Sequence, residues 1–128
     1  MKIIIETIPH EQQRYPTVGD YYRHTDGTDK ILVSHMGDWR FEFLVAIHEL
    51  IEYYLCGQRG IHESVITEFD KKYESERSAG KHGPDDEPGF DRGSPYRKEH
   101  HFATAIEMLV AKELNVNWED YGKCVSSL

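Results

Sequence analysis

The sequence predicts an α+β domain, a small N-terminal antiparallel sheet packed on a bundle of three helices. Three observations carry this. The β-prone isoleucine, valine and tyrosine runs fall within the first 34 residues. Beyond Gly37 the apolar residues recur at helical spacing. The chain has 128 residues, 38% hydrophobic and 30% charged, enough for one core and too few for two. A single domain over residues 1–128 is expected.

The elements follow in order. Met1–Ile8 is isoleucine-rich and reads as a strand that stops before Pro9. Residues 10–19 read as irregular. Asp20–Arg23 and Lys30–Ser34 are short β-prone runs flanking Thr25-Asp26-Gly27-Thr28, and Asp-Gly is a hairpin turn signal. Asp38 is a suitable N-cap for a helix from Trp39 to about Cys56, stopped at Gly57. That helix is apolar on two sides. Phe41, Val45, His48, Glu52 and Leu55 form one stripe; Phe43, Ala46, Ile47, Leu50 and Tyr54 form another. A helix apolar this far round is expected to be central. A second helix is expected from Ile61 to about Glu76, with Val65, Ile66, Phe69 and Tyr73 inward.

Residues 77–94 break the pattern with four glycines, two prolines and four acidic residues. A polar loop this long is expected to be mobile or to serve as a lid. Ser94-Pro95 offers an N-cap and a first helical position for a third helix reaching about Leu114. Asn117 then caps a short last turn bearing Trp118 and Tyr121.

Charge narrows the partners. The net charge of −8 argues against a nucleic-acid backbone, which calls for a basic face. No apolar run approaches the ~20 residues of a membrane span. Met1-Lys2-Ile3-Ile4-Ile5 is too short an apolar stretch for a signal peptide, so a cytoplasmic location is expected. Cys56 and Cys124 fit neither a disulfide framework nor a Cys-rich zinc site, and both are read as reduced.

The chemistry lies in Val45-Ala46-Ile47-His48-Glu49-Leu50-Ile51-Glu52. His48 and Glu52 are four residues apart and project from one helix face, so both can hold one metal ion. Glu49 is rotated by ~100° and can reach over the same site without being a ligand. This is the zinc-helix pattern H-E-x-x-H with its second histidine replaced by glutamate. Three ionisable groups in a buried helix are costly unless paired, hydrogen-bonded or bound to metal. In the third helix His100, Ala103 and Glu107 share a face, with His101 a quarter-turn away. If that face meets the first helix, His48, Glu52 and His100 make a two-histidine, one-carboxylate site. Three such ligands plus water are common for catalytic zinc. Glu107 would be an orienting partner or a further ligand. Asp70 and Glu74 read as surface charges paired with Lys71 or Lys72, or as additions to a carboxylate-rich site. His48 and Glu52 could instead form an internal hydrogen-bonded pair with Arg40 or a tyrosine. His10, His24, His35, His62 and His82 have no ligand-like spacing.

The layout of strand, hairpin, His-Glu helix and later ligand helix resembles a minimal zincin metallopeptidase of the gluzincin type. In that group the later helix carries a ligand glutamate followed three residues on by alanine; here His100 and Ala103 stand at those places. The resemblance covers about residues 30–114 and implies a zincin-like fold, Zn²⁺ and amide hydrolysis. The runs VAIHELIEYYLC and ITEFDKKYE, with the Glu-Pro-Gly loop before a Pro-Tyr helix start, are also similar to small uncharacterised proteins of tailed bacteriophages. That likeness implies action in the bacterial host cytoplasm.

The leading expectation is a zinc-dependent, metallopeptidase-like hydrolase acting on a peptide or protein, with Glu49 as general base toward a metal-activated water. A second is a Mg²⁺- or Mn²⁺-dependent nucleotide phosphohydrolase using Glu49, Glu52, Asp70, Glu74 and Glu107. A third is a non-catalytic phage protein that binds a host bacterial factor.

Overall fold

The computed structural model describes residues 1–128 and has the α+β class expected. Its strands are β1 (Ile3–Ile8), β2 (Gly19–Arg23) and β3 (Asp29–Ser34). Its helices are α1 (Trp39–Gln58), α2 (Glu63–Ser78), α3 (Arg97–Glu113) and α4 (Trp118–Ser126).

β2 and β3 form the expected hairpin. Its turn is closed by the Gly27 N–H on the His24 carbonyl at 2.9 Å, with Gly27 at φ +84° where a side chain would strain. The sheet is mixed rather than antiparallel throughout. Its order is β1-β3-β2, and β1 pairs with β3 in parallel from Ile3↔Asp29 to Ile8↔Ser34. The reason lies in residues 9–18, which are long enough to carry the chain from one sheet edge to the other. β3 becomes the central strand, and its alternation buries Ile31 and Val33 against the helices.

α1 begins as its sequence dictates: the Asp38 side chain accepts the Arg40 N–H at 2.9 Å. It packs on α3 and also on β2 and β3, which explains its lack of a single apolar face. Leu44, Val45, Ala46 and Cys56 lie in the core, and both cysteines are free thiols. α2 starts at Glu63 rather than Ile61, because the His62 side chain caps it by accepting the Ser64 N–H.

α3 starts at Arg97, later than the Ser94-Pro95 signal suggests. Ser94 Oγ accepts the Tyr96 N–H in a turn, and the Tyr96 hydroxyl reaches Asp70 on α2 at 2.5 Å. Satisfying that buried pair holds Tyr96 outside the helix. α3 ends where Asn115 takes a left-handed conformation (φ 54°) and Val116 N–H returns to the Ala111 carbonyl. Asn117 caps α4, accepting the Asp120 N–H; nine residues long, α4 is a fourth helix rather than a single turn. It lays Tyr121 against Phe41 of α1.

The segment between α2 and α3 has tertiary anchors. Arg77 donates to the Gly83 and Asp86 carbonyls, His82 stacks on Tyr73 at 3.7 Å, and Phe90 lies edge-on to His100 and His101. It forms a wall of the cavity described next.

Candidate metal centre

α1 and α3 approach closely because the residue between them on α3 is small: Ala103 is fully buried. One turn away on that face stands His100. Its ring meets the His48 ring edge-on, with centroids 4.5 Å apart. The expectation that His48, Glu52 and His100 gather is met. All three are buried, and one ligand atom from each lies within 4.8 Å of the others.

The group is tighter than that limit. His48 Nε2 is 3.1 Å from Glu52 Oε2 and 3.0 Å from His100 Nδ1, and His100 Nδ1 is 2.8 Å from the same carboxylate oxygen. A tetrahedral ion with bonds of about 2.0–2.1 Å holds its ligand atoms roughly 3.3 Å apart. The three atoms therefore need to spread by only a few tenths of an ångström to grip such an ion. Two imidazoles and one carboxylate suit first-row divalent metals.

The surroundings orient these groups. Glu107, one α-helical turn beyond Ala103, puts Oε1 2.8 Å from His48 Nδ1. A carboxylate on the distal nitrogen of a ligand histidine fixes its tautomer and raises its basicity. Glu107 thus meets His48 on the nitrogen turned away from Glu52 and His100, and it lies outside that three-residue group. Tyr21 of β2 donates its hydroxyl to Glu52 Oε1 at 2.8 Å, leaving Oε2 to face the histidines. His48 and Glu52 thus form the internal hydrogen-bonded pair with a tyrosine, Tyr21, that the sequence also allows, whereas Arg40 pairs with Asp38 instead.

Electrostatics follow from this packing. Burial raises the Glu52 carboxyl, but hydrogen bonds from His100 and His48 outweigh it and hold its pKa at about 2. Burial works against a charged His48, yet the bonds to Glu107 and Glu52 lift it well above the ordinary histidine value. Glu49 makes no hydrogen bond. Burial, then the neighbouring Glu52, pushes its carboxyl well above the usual range.

The group opens on a cavity of about 630 Å³ lined by β2 and the 10–18 loop before it, by α1, α2, α3 and α4, and by the 79–96 loop. Glu49 lines the same cavity. Gly19 at the start of β2 lies directly over its side chain. A Cβ there would come 2.6 Å from Glu49 Cγ and 2.7 Å from Oε1.

The other residues singled out from sequence do not join the ligand group. His101 is exposed and packs on Phe90, because only His100 shares the Ala103–Glu107 face. Asp70 is buried rather than a surface charge, and it accepts hydroxyls from Tyr15 at 3.1 Å and Tyr96 at 2.5 Å. Burial outweighs those donors and moves its pKa up to about 7. Glu74 pairs with Arg77 at 3.0 Å rather than with Lys71 or Lys72. Asp20, bound by Arg14 at 2.6 and 2.9 Å, also lines the cavity; its isolated position in β2 gave no signal in the sequence. Gly19 and Gly89, which touch Glu49 and His100, were equally silent. Their roles depend on how distant loops fold back.

No helix is long and apolar enough to cross a membrane. Comparison with family models, with curated proteins and with solved structures returns no match.

Proposed function

We propose that the chain is a zinc-dependent hydrolase of the metallopeptidase-like kind, with His48, Glu52 and His100 as ligands. The carrying observation is a three-donor group, not four, facing a cavity of about 630 Å³. Structural zinc sites are closed by four protein ligands, and catalytic ones keep a position open. Two imidazoles favour zinc over magnesium, which prefers all-oxygen shells. A bound ion would supply Lewis acidity and lower the pKa of its water toward ~7.

The chain's own residues divide the remaining work. Glu49 shares the cavity with the ligands and has no hydrogen-bond partner to occupy it, so it is free to take a proton from water as general base. Glu107 holds His48, and Tyr21 holds Glu52. The similarity in layout to small zincins supports an amide bond as target, and a phage origin would place the reaction in a bacterial host's cytoplasm.

The test is Glu49→Gln in zinc-loaded protein, assayed on a fluorogenic peptide mixture and in parallel on nucleoside triphosphates with Mg²⁺ or Mn²⁺. Peptide cleavage by the parent, lost in a variant that keeps its zinc, supports the proposal. Nucleotide hydrolysis without peptide cleavage would move the assignment to a phosphohydrolase. Absence of both reactions would leave a metal-binding protein without this activity.

A further inference from the structure

We infer that Glu87, in the loop before α3, is a positioning residue for the ligand His100 and accepts a hydrogen bond from its Nε2–H when an ion sits on Nδ1. This rests on the metal reading above and adds to it a coupling between the loop and the metal.

Four nitrogens belong to the two histidines of the group. Three have polar partners: His48 Nδ1 meets Glu107, and His48 Nε2 and His100 Nδ1 meet Glu52 and each other. The fourth, His100 Nε2, is buried with no hydrogen-bond partner. Buried polar atoms without a partner are rare and call for an explanation. The carboxylate facing it is Glu87, with Oε1 at 3.7 Å. That is about 0.5 Å beyond the normal N–H···O range.

Glu87 can close this gap. Its side chain is 53% exposed and makes no hydrogen bond, so nothing holds it back. The same loop already seats the ring. Gly89 lies so close that a Cβ would come 2.2 Å from His100 Cγ and 2.4 Å from Nδ1. Phe90 stands edge-on with its centroid 4.5 Å away. Residues 87–90 therefore contact the ring's face, its edge and the neighbourhood of its free nitrogen. The Glu-Pro-Gly run of the sequence makes this cradle: only glycine fits under the imidazole.

Nδ1 lies 2.8 Å from Glu52 Oε2, so without an ion a proton on Nδ1 can bridge the two. An ion on Nδ1 displaces that proton, and a neutral imidazole then carries its hydrogen on Nε2. The orphan atom becomes a donor aimed toward Glu87. The result repeats the His48–Glu107 arrangement, with the carboxylate supplied by a loop instead of a helix.

The experiment titrates Co²⁺ into the full chain against a competing chelator, following cobalt's visible absorption. It compares the parent with Glu87→Gln, Glu87→Ala and His48→Ala. Loss of such a partner typically weakens metal binding by about 10–100-fold. Glu87→Ala should fall in that range and Glu87→Gln should lose less, because its amide oxygen still accepts. Metal-free melting should be unchanged in both. Nitrogen-15 spectra of the parent should move the His100 proton from Nδ1 to Nε2 on metal addition. If Glu87→Ala binds Co²⁺ within about twofold of the parent while His48→Ala loses it, the inference is overturned and the metal site stands. If His48→Ala also binds like the parent, the metal reading falls, and this inference with it.

Discussion

Replacing Asp70 by asparagine should remove a defined pH dependence from the stability of the metal-free protein. Asp70 is 9% exposed and sits between two tyrosine hydroxyls beside a cavity rich in carboxylates. Burial raises its pKa from 3.8 to about 7. Between these values the folded chain holds a proton on Asp70 and the unfolded chain does not. Stability therefore falls as pH rises through this window, the reverse of a salt-bridged carboxylate. A tenfold change in proton affinity is worth about 1.4 kcal/mol, so the full window amounts to about 4 kcal/mol at most. The side chain introduced by Asp70→Asn has the same shape, can hydrogen-bond both tyrosines and does not titrate. Urea unfolding of both proteins with chelator present, from about pH 4 to 8, gives the stability difference directly. The parent should lead at the acid end and lose that lead, by up to about 4 kcal/mol, by the alkaline end. A difference constant to about 0.5 kcal/mol across the range would refute the claim that Asp70 is buried protonated.

Two further outcomes follow from packing. Gly19→Ala places a Cβ 2.6 Å from Glu49 Cγ, so the glutamate must swing away; any hydrolysis should drop while Co²⁺ affinity stays within about threefold. Leu44→Ala, at a fully buried position of α1, should cost about 2–5 kcal/mol in urea unfolding, and a cost below about 1 kcal/mol would show that the site is not packed as described.

Much of the site was legible because its signals are local. His48 and Glu52 are one turn apart on a helix with apolar flanks, and His100, Ala103 and Glu107 follow helical spacing. Periodicity alone puts each set on one face, and burial of both faces brings them together. The same logic separated His100 from His101. What stayed hidden depends on long-range paths. Asp70 read as a surface charge because its partners, Tyr15 and Tyr96, are 55 and 26 residues away in sequence. The parallel pairing of β1 could not be read, because the edge that a strand joins is set by the connection after it and not by its own residues. The 77–94 segment looked unanchored by composition. Its contacts come from Arg77, Tyr73 and His100, on the two helices that flank it. Three of the five histidines without ligand spacing have structural partners: His62 caps α2, His82 stacks on Tyr73, and His10 bonds Ser34 at 2.9 Å.

The proposed function depends on His48, Glu52 and His100 holding one divalent ion. Metal analysis of untagged protein, purified without added metal, tests it most directly. One zinc per chain is expected in the parent and none in His48→Ala or His100→Ala, since two remaining ligands cannot hold the ion. A parent free of metal that takes up no zinc when offered it, or both variants retaining one zinc per chain, would contradict it.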